Sequence, residues 1–179
     1  MSGAGNLDRC PAVGDLRSMS KLVCVLVLVA VALVPGFAQG TLPAGTVLED
    51  QFGLSVDVSA AMAGGKLVLA LSAERDAADR LTEWSIALAG KLPAGARLLL
   101  VANLSGVPFF VPKSSIIKQL KEDYPTLSVI LDWKGVLAKA LGMGKLKNLA
   151  EAWSAGKRLA RAEGTADAAR AVSLAAALR

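Results

Sequence analysis

Three short apolar runs punctuate the chain: Lys66 to Leu71, Arg97 to Ala102 and Leu127 to Leu131. Continuous runs of this length, closed off by turn formers, describe strands buried on both faces. The first is introduced by Gly64-Gly65 and followed by the polar stretch Ser72-Ala73-Glu74-Arg75-Asp76. Ahead of it, Asp50-Gln51-Phe52-Gly53 reads as a turn between two short strands. In the second, Leu54, Val56 and Val58 alternate with Ser55 and Asp57, as on a half-exposed strand. Ser59 to Ala63 is expected to be a brief connector.

Helical spacing separates the apolar runs. From Asp76 to Ala89, the apolar residues Ala77, Leu81, Trp84, Ile86 and Leu88 stand against Asp79, Arg80 and Glu83. Asp76 is the expected cap, and Gly90 and Pro93 end the helix. Ser114-Ser115 are expected to cap a helix through Ile116, Ile117 and Leu120, which stops before Pro125. A short helix is predicted over Val136 to Leu141. Leu149 to Trp153 and Arg158 to Ala162 flank Ser154-Ala155-Gly156-Lys157 as an edge hairpin. Thr165 is the expected cap of a final Ala/Leu-rich helix. Strands alternating with helices imply an α/β fold: a central mixed sheet with helices on both faces.

The apolar run from Leu22 to Val34 belongs to a different category. Lys21 precedes it and Pro35-Gly36-Phe37-Ala38 follows, which is the pattern of a secretory signal peptide cleaved after Ala38. The run falls short of the roughly 20 residues that span hydrocarbon, so no stable membrane anchor is expected after cleavage. The expected organisation is an extension plus signal over 1–38 and one domain over 39–179, with Met19 a more compact signal start than Met1. Cys24 lies before the apolar centre and lacks the small preceding residue of a lipidation site.

Part of the 54% apolar content sits in that leader. The formal charge of +5 is spread in alternating sign, without the concentrated basic face that nucleic acid or an anionic membrane requires. The chain has no His, and its two cysteines, Cys10 and Cys24, both precede the expected cleavage point. A mature domain without thiol or imidazole argues against zinc, copper or haem, and no metal or cofactor is expected. Glu74, Asp76 and Asp79 suit a helix start better than a hard-cation site. Ser-x-x-Lys occurs at Ser115, Ser154 and Ser18, a recurrence that marks it as cheap, and no Lys-Thr-Gly accompanies it. None of the four Gly-Lys pairs continues into Ser or Thr, so no phosphate-binding loop is present.

Two loops carry the remaining chemistry. Asn103, Ser105 and Pro108 follow one buried strand, and Asp132 and Trp133 follow its neighbour, so they are expected to converge at the carboxyl edge of the sheet. The alternative is that Asp132 and Ser105 satisfy turn amides while Trp133 covers the core. Val107-Pro108-Phe109-Phe110-Val111-Pro112 is unusually apolar for a loop, and is either a partner-docking patch or packed inside.

Leu48-Glu-Asp-Gln-Phe-Gly53, Gly65-Lys66-Leu-Val-Leu-Ala-Leu71 and Leu131-Asp132-Trp-Lys-Gly135, followed by helix, hairpin and helix, resemble exported, periplasmic thioredoxin-like proteins of Gram-negative bacteria. The resemblance implies a thioredoxin-like three-layer sandwich and a periplasmic or secreted address. Thioredoxins carry Cys-x-x-Cys at the start of the helix after the central strand, where the helix terminus favours a thiolate. Ser72 to Asp79 stands there instead, and Lys145-Leu146-Lys147-Asn148 replaces the proline-bearing loop beside the thiols. The expected function is a non-catalytic role in the cell envelope, binding a protein or peptide partner through Asn103, Ser105, Pro108, Phe109, Phe110, Asp132 and Trp133. The alternatives are a cysteine-independent enzyme using Ser105 and Asp132, or a purely structural envelope protein.

Overall fold

The computed structural model describes residues 44–179; the expected signal segment, its cleavage point and both cysteines lie outside them. The elements run β1 Val47–Glu49, β2 Ser55–Asp57, α1 Val58–Ala63, β3 Lys66–Ser72, α2 Ala77–Leu88, β4 Arg97–Asn103, α3 Lys113–Asp123, β5 Ile130–Asp132, α4 Val136–Ala140, β6 Asn148–Ser154, β7 Lys157–Glu163 and α5 Ala168–Ala177. The main sheet has the order β5-β4-β3-β6-β7. The first three strands are parallel, and β6 and β7 return antiparallel. β1 and β2 form a separate antiparallel hairpin, bridged to the sheet between Asp50 and Ile130.

The continuous apolar runs serve two faces at once, because successive side chains point to opposite sides. Val68, Ala70, Leu100 and Ala102 meet Leu81, Trp84 and Leu88 of α2 and Leu174 of α5. Leu67, Leu69, Leu71 and Val101 meet Val58 and Met62 of α1 and Leu137 of α4. Each fully buried Leu contributes about 1.5–3 kcal/mol, so stability is concentrated in β3, whose two faces are both covered. This is the thioredoxin-like α/β architecture, with β3 at its centre.

Several local expectations are corrected. Ser59 to Ala63 belongs to helix α1, which starts because Asp57 Oδ1 accepts the Ala60 N–H at 2.8 Å. Val58 is therefore the first helical residue, not the end of a strand. Asp76 occupies the cap position of α2 without capping through its side chain, and Ile86, expected on the apolar face, is 70% exposed. Ser114 and Ser115 lie inside α3, which begins after Pro112. The cap of α5 is Asp167, whose Oδ1 accepts the Arg170 N–H at 2.7 Å, not Thr165.

The third strand is shorter than its apolar run, and Gln51 is the reason. Its buried amide donates from Nε2 to the Leu127 carbonyl, and its Oε1 accepts the Val129 N–H at 2.8 Å. A side chain thus occupies backbone groups that strand pairing would have used. The closing hairpin forms as expected, with only β7 at the edge and β6 between β3 and β7.

Candidate functional site

β3, β4 and β5 are parallel, so the turns leaving Ser72, Asn103 and Asp132 emerge at one edge of the sheet. Asp132 is fully buried. Its Oδ1 accepts the Val136 N–H at 2.9 Å and its Oδ2 the Leu137 N–H at 2.8 Å. Both oxygens therefore hold the first turn of α4, where the unpaired amides of a helix start need acceptors.

Asn103 Oδ1 accepts the Ser105 N–H at 3.1 Å, closing an Asx turn. The Leu104 N–H donates to the Asp132 carbonyl at 3.0 Å and joins the two loops. Ser105 lies against Gly135, where φ is +65° and an added Cβ would sit 2.9 Å from Ser105 Oγ. Asn103, Ser105 and Asp132 are thus brought to one edge, each engaged in shaping the turns, and Ser105 Oγ makes no hydrogen bond to the Asp132 carboxylate.

The β3–α2 turn is built around Arg80, which sequence reasoning had placed only as a charge on the polar face. Its guanidinium donates to Asp76 Oδ2 through Nε at 3.0 Å and Nη2 at 2.8 Å. Nη1 donates to Glu83 Oε1, and Nε lies 3.4 Å from Glu74 Oε2. The hydrogen bond from Arg80 holds the Asp76 carboxyl below the usual carboxylate range. The carboxylates considered for a cation are therefore occupied: Glu74 and Asp76 face Arg80, and Asp79 accepts the Tyr124 hydroxyl.

Asn148, 3% exposed at the start of β6, donates from Nδ2 to Glu74 Oε1 at 2.9 Å, while its Oδ1 has no hydrogen-bond partner. The Ala73 N–H donates to the Lys147 carbonyl at 2.8 Å, so the loop ahead of β6 is laced directly to this turn. The Asp76–Arg80–Glu83 spacing, i, i+4 and i+7 on one helix, was a readable sign of the clamp. The Asn148–Glu74 contact spans too much chain to leave any local signature.

The loop from β4 to α3 presents a different surface. Phe109 is 99% exposed and Phe110 73%, with their rings edge to face at 5.8 Å between centroids. Two successive turns, Val107 N–H to the Leu104 carbonyl and Val111 N–H to the Pro108 carbonyl, brace the segment. At its far end Lys113 Nζ lies 5.0 Å from the Trp133 ring centroid, a cation–π contact. Trp133 is half-buried and packs against the core cluster that includes Leu100, Ala102 and Leu131. It both covers apolar interior and seats Lys113.

Two further features lie away from this edge. A cleft of about 420 Å3, lined by Asp57, Ala60, Gly65, Lys66 and Arg97 among others, opens where β3 and β4 begin. Glu151 is fully buried in β6; its Oε1 accepts from Arg158 and Arg161 and its Oε2 from Trp153 Nε1. A lone carboxylate inside Leu149-Ala-Glu-Ala-Trp153, with arginines on the returning strand, was the signal for this cluster.

No family model matches the chain, and no curated protein does. Solved structures do. The chain is similar to dsbF of Mycobacterium tuberculosis, described in its mixed oxidised and reduced forms, at 14% identity and a TM-score of 0.56 over 78% of this chain and 100% of the other. A secreted M. tuberculosis disulfide oxidoreductase homologous to E. coli DsbE aligns at 12% identity and 0.54, covering 75% and 97%. StoA from Bacillus subtilis aligns at 15% and 0.55, covering 74% and 98%. These likenesses establish the thioredoxin-like fold.

Proposed function

We propose that the protein is exported and has a binding, accessory role in the cell envelope rather than a redox role, meeting a protein or peptide partner at the carboxyl edge of its sheet. One observation carries this reading: the turn after β3, where thioredoxins hold their thiols, has no cysteine and is filled by Arg80 clamped between Glu74, Asp76 and Glu83. The adjoining loop meanwhile presents Phe109 and Phe110 to the outside. Exposed paired aromatics are unusual on a surface with no use for them, and aromatic residues anchor protein interfaces.

The export half of the proposal is supported by the signal pattern before Gln39 and by the description of one similar structure as secreted. A catalytic use of Ser105 with Asp132 has less support, because both carboxylate oxygens already accept backbone amides.

The test is N-terminal sequencing of the exported protein, combined with a thiol titration and an insulin-reduction assay. The expected results are a chain beginning at Gln39, no thiol and no reduction. A protein that keeps Cys24 as an accessible thiol and reduces insulin would overturn the proposal.

A further inference from the structure

We infer that the β4–α3 loop is a preformed knob for an acidic-rimmed apolar socket on a folded protein partner. This rests on the binding role proposed above and names the partner's chemistry.

The first ground is shape. A side chain that keeps 99% of its area open, as Phe109 does, stands on a convex tip, so the concavity must come from the other molecule. The second is rigidity. Pro108 and Pro112 fix two backbone angles, the Leu104–Val107 and Pro108–Val111 turns fix the segment between, and the Leu104–Asp132 hydrogen bond ties its base to the sheet. A knob already held in shape loses little conformational freedom on docking.

The third ground is charge. Lys113 is seated on Trp133, Lys134 directly follows that tryptophan in the chain, and neither has a carboxylate partner among the described residues. An acidic rim complements them and orients the encounter. A lipid surface fits less well. Recognition of anionic membranes uses clusters of about four to eight basic residues, and this tip has two.

The experiment uses the full chain in cells that export it, with a photo-reactive benzoylphenylalanine in place of Phe110. A protein captured there is purified and titrated by calorimetry against wild type, Phe109→Ala, Lys113→Glu and Lys134→Glu, at low and high salt. Phosphatidylcholine vesicles containing phosphatidylglycerol are run in parallel.

The expected result is one captured protein whose purified form binds wild type, binds Phe109→Ala about tenfold more weakly, and loses affinity with either charge reversal and with added salt. Lys134→Glu leaves the Lys113–Trp133 contact in place, so its effect reports charge rather than loop collapse. A partner that needs Phe109 but ignores both charge reversals and salt overturns the acidic rim and leaves the binding role standing. Sedimentation with vesicles and no protein captured overturns both, as does capture of a second copy of this chain alone.

Discussion

Glu151 stands directly across the β6–β7 ladder from Arg161, and the two meet at 2.9 Å with the carboxylate fully buried. Arg161 also donates to the Leu141 carbonyl at 2.7 Å and so fastens α4 to the hairpin. Burying a carboxylate is costly unless every lone pair is met, and here two arginines and an indole N–H meet it. Replacing Glu151 with Ala strands the partners and is expected to cost about 3 kcal/mol, read as a lower urea midpoint. Glu151→Ala and Arg161→Ala in a double-mutant cycle should couple by more than about 0.5 kcal/mol; additive effects would remove the pair from the account.

Tyr124 is the chain's one tyrosine, so its ultraviolet titration reports a single group. Donation of its hydroxyl to Asp79 pushes its pKa up to about 12. Because the folded form holds the proton more tightly than the unfolded chain, the stabilisation is complete below about pH 10 and lost as pH rises toward 12. Asp79→Asn should lower the titration midpoint, and Tyr124→Phe should flatten the alkaline decline in stability. An unchanged midpoint in Asp79→Asn would contradict the contact.

The hairpin turn places Ala155 at φ +48° and Gly156 at φ +76°. Two positive angles in succession are the geometry that Asn-Gly serves best, whereas an alanine there costs about 1–2 kcal/mol. Ala155→Asn should raise stability by about 0.5–1 kcal/mol in a urea titration. Ala155→Val should lower it.

Gly135 and Ser105 give a steric test of the sheet edge. At φ +65° and with Ser105 Oγ 2.9 Å from a new Cβ, Gly135→Ala meets both backbone strain and a clash. It should cost about 1–3 kcal/mol in thermal or urea unfolding. Ser105→Gly in the same chain should recover part of that loss, and no recovery would mean that strain alone is responsible.

The central strands were readable because a doubly covered strand has no polar face to dilute its apolar run. The strand ends then placed Asn103, Ser105 and Asp132 at one edge before any coordinates. What escaped was settled by single side chains acting across the chain. Gln51 shortened the third strand from 76 positions away, and Asn148 reached Glu74 from 74. Helix α1 is too short for a period to register, and Asp57 looked like the exposed face of a strand while serving as a cap. At the start of α5 the expected cap was Thr165, and the helix begins two residues later because Asp167 supplies the acceptor for the Arg170 N–H. The exposure of Phe109 and Phe110 was not decidable from an apolar loop composition, which fits a packed loop equally well.

The hairpin of β1 and β2, fixed by Gln51 and the Asp50–Ile130 bridge, also guards against polymerisation. It occupies the outer flank of β5, where another molecule's strand would otherwise add on. At the opposite flank β7 is studded with Lys157, Arg158, Arg161 and Glu163 and bulges against β6. Charge and irregularity there discourage stacking as effectively as a cover does. A cover at one flank and charge at the other are the devices by which a sheet this apolar avoids edge-to-edge growth.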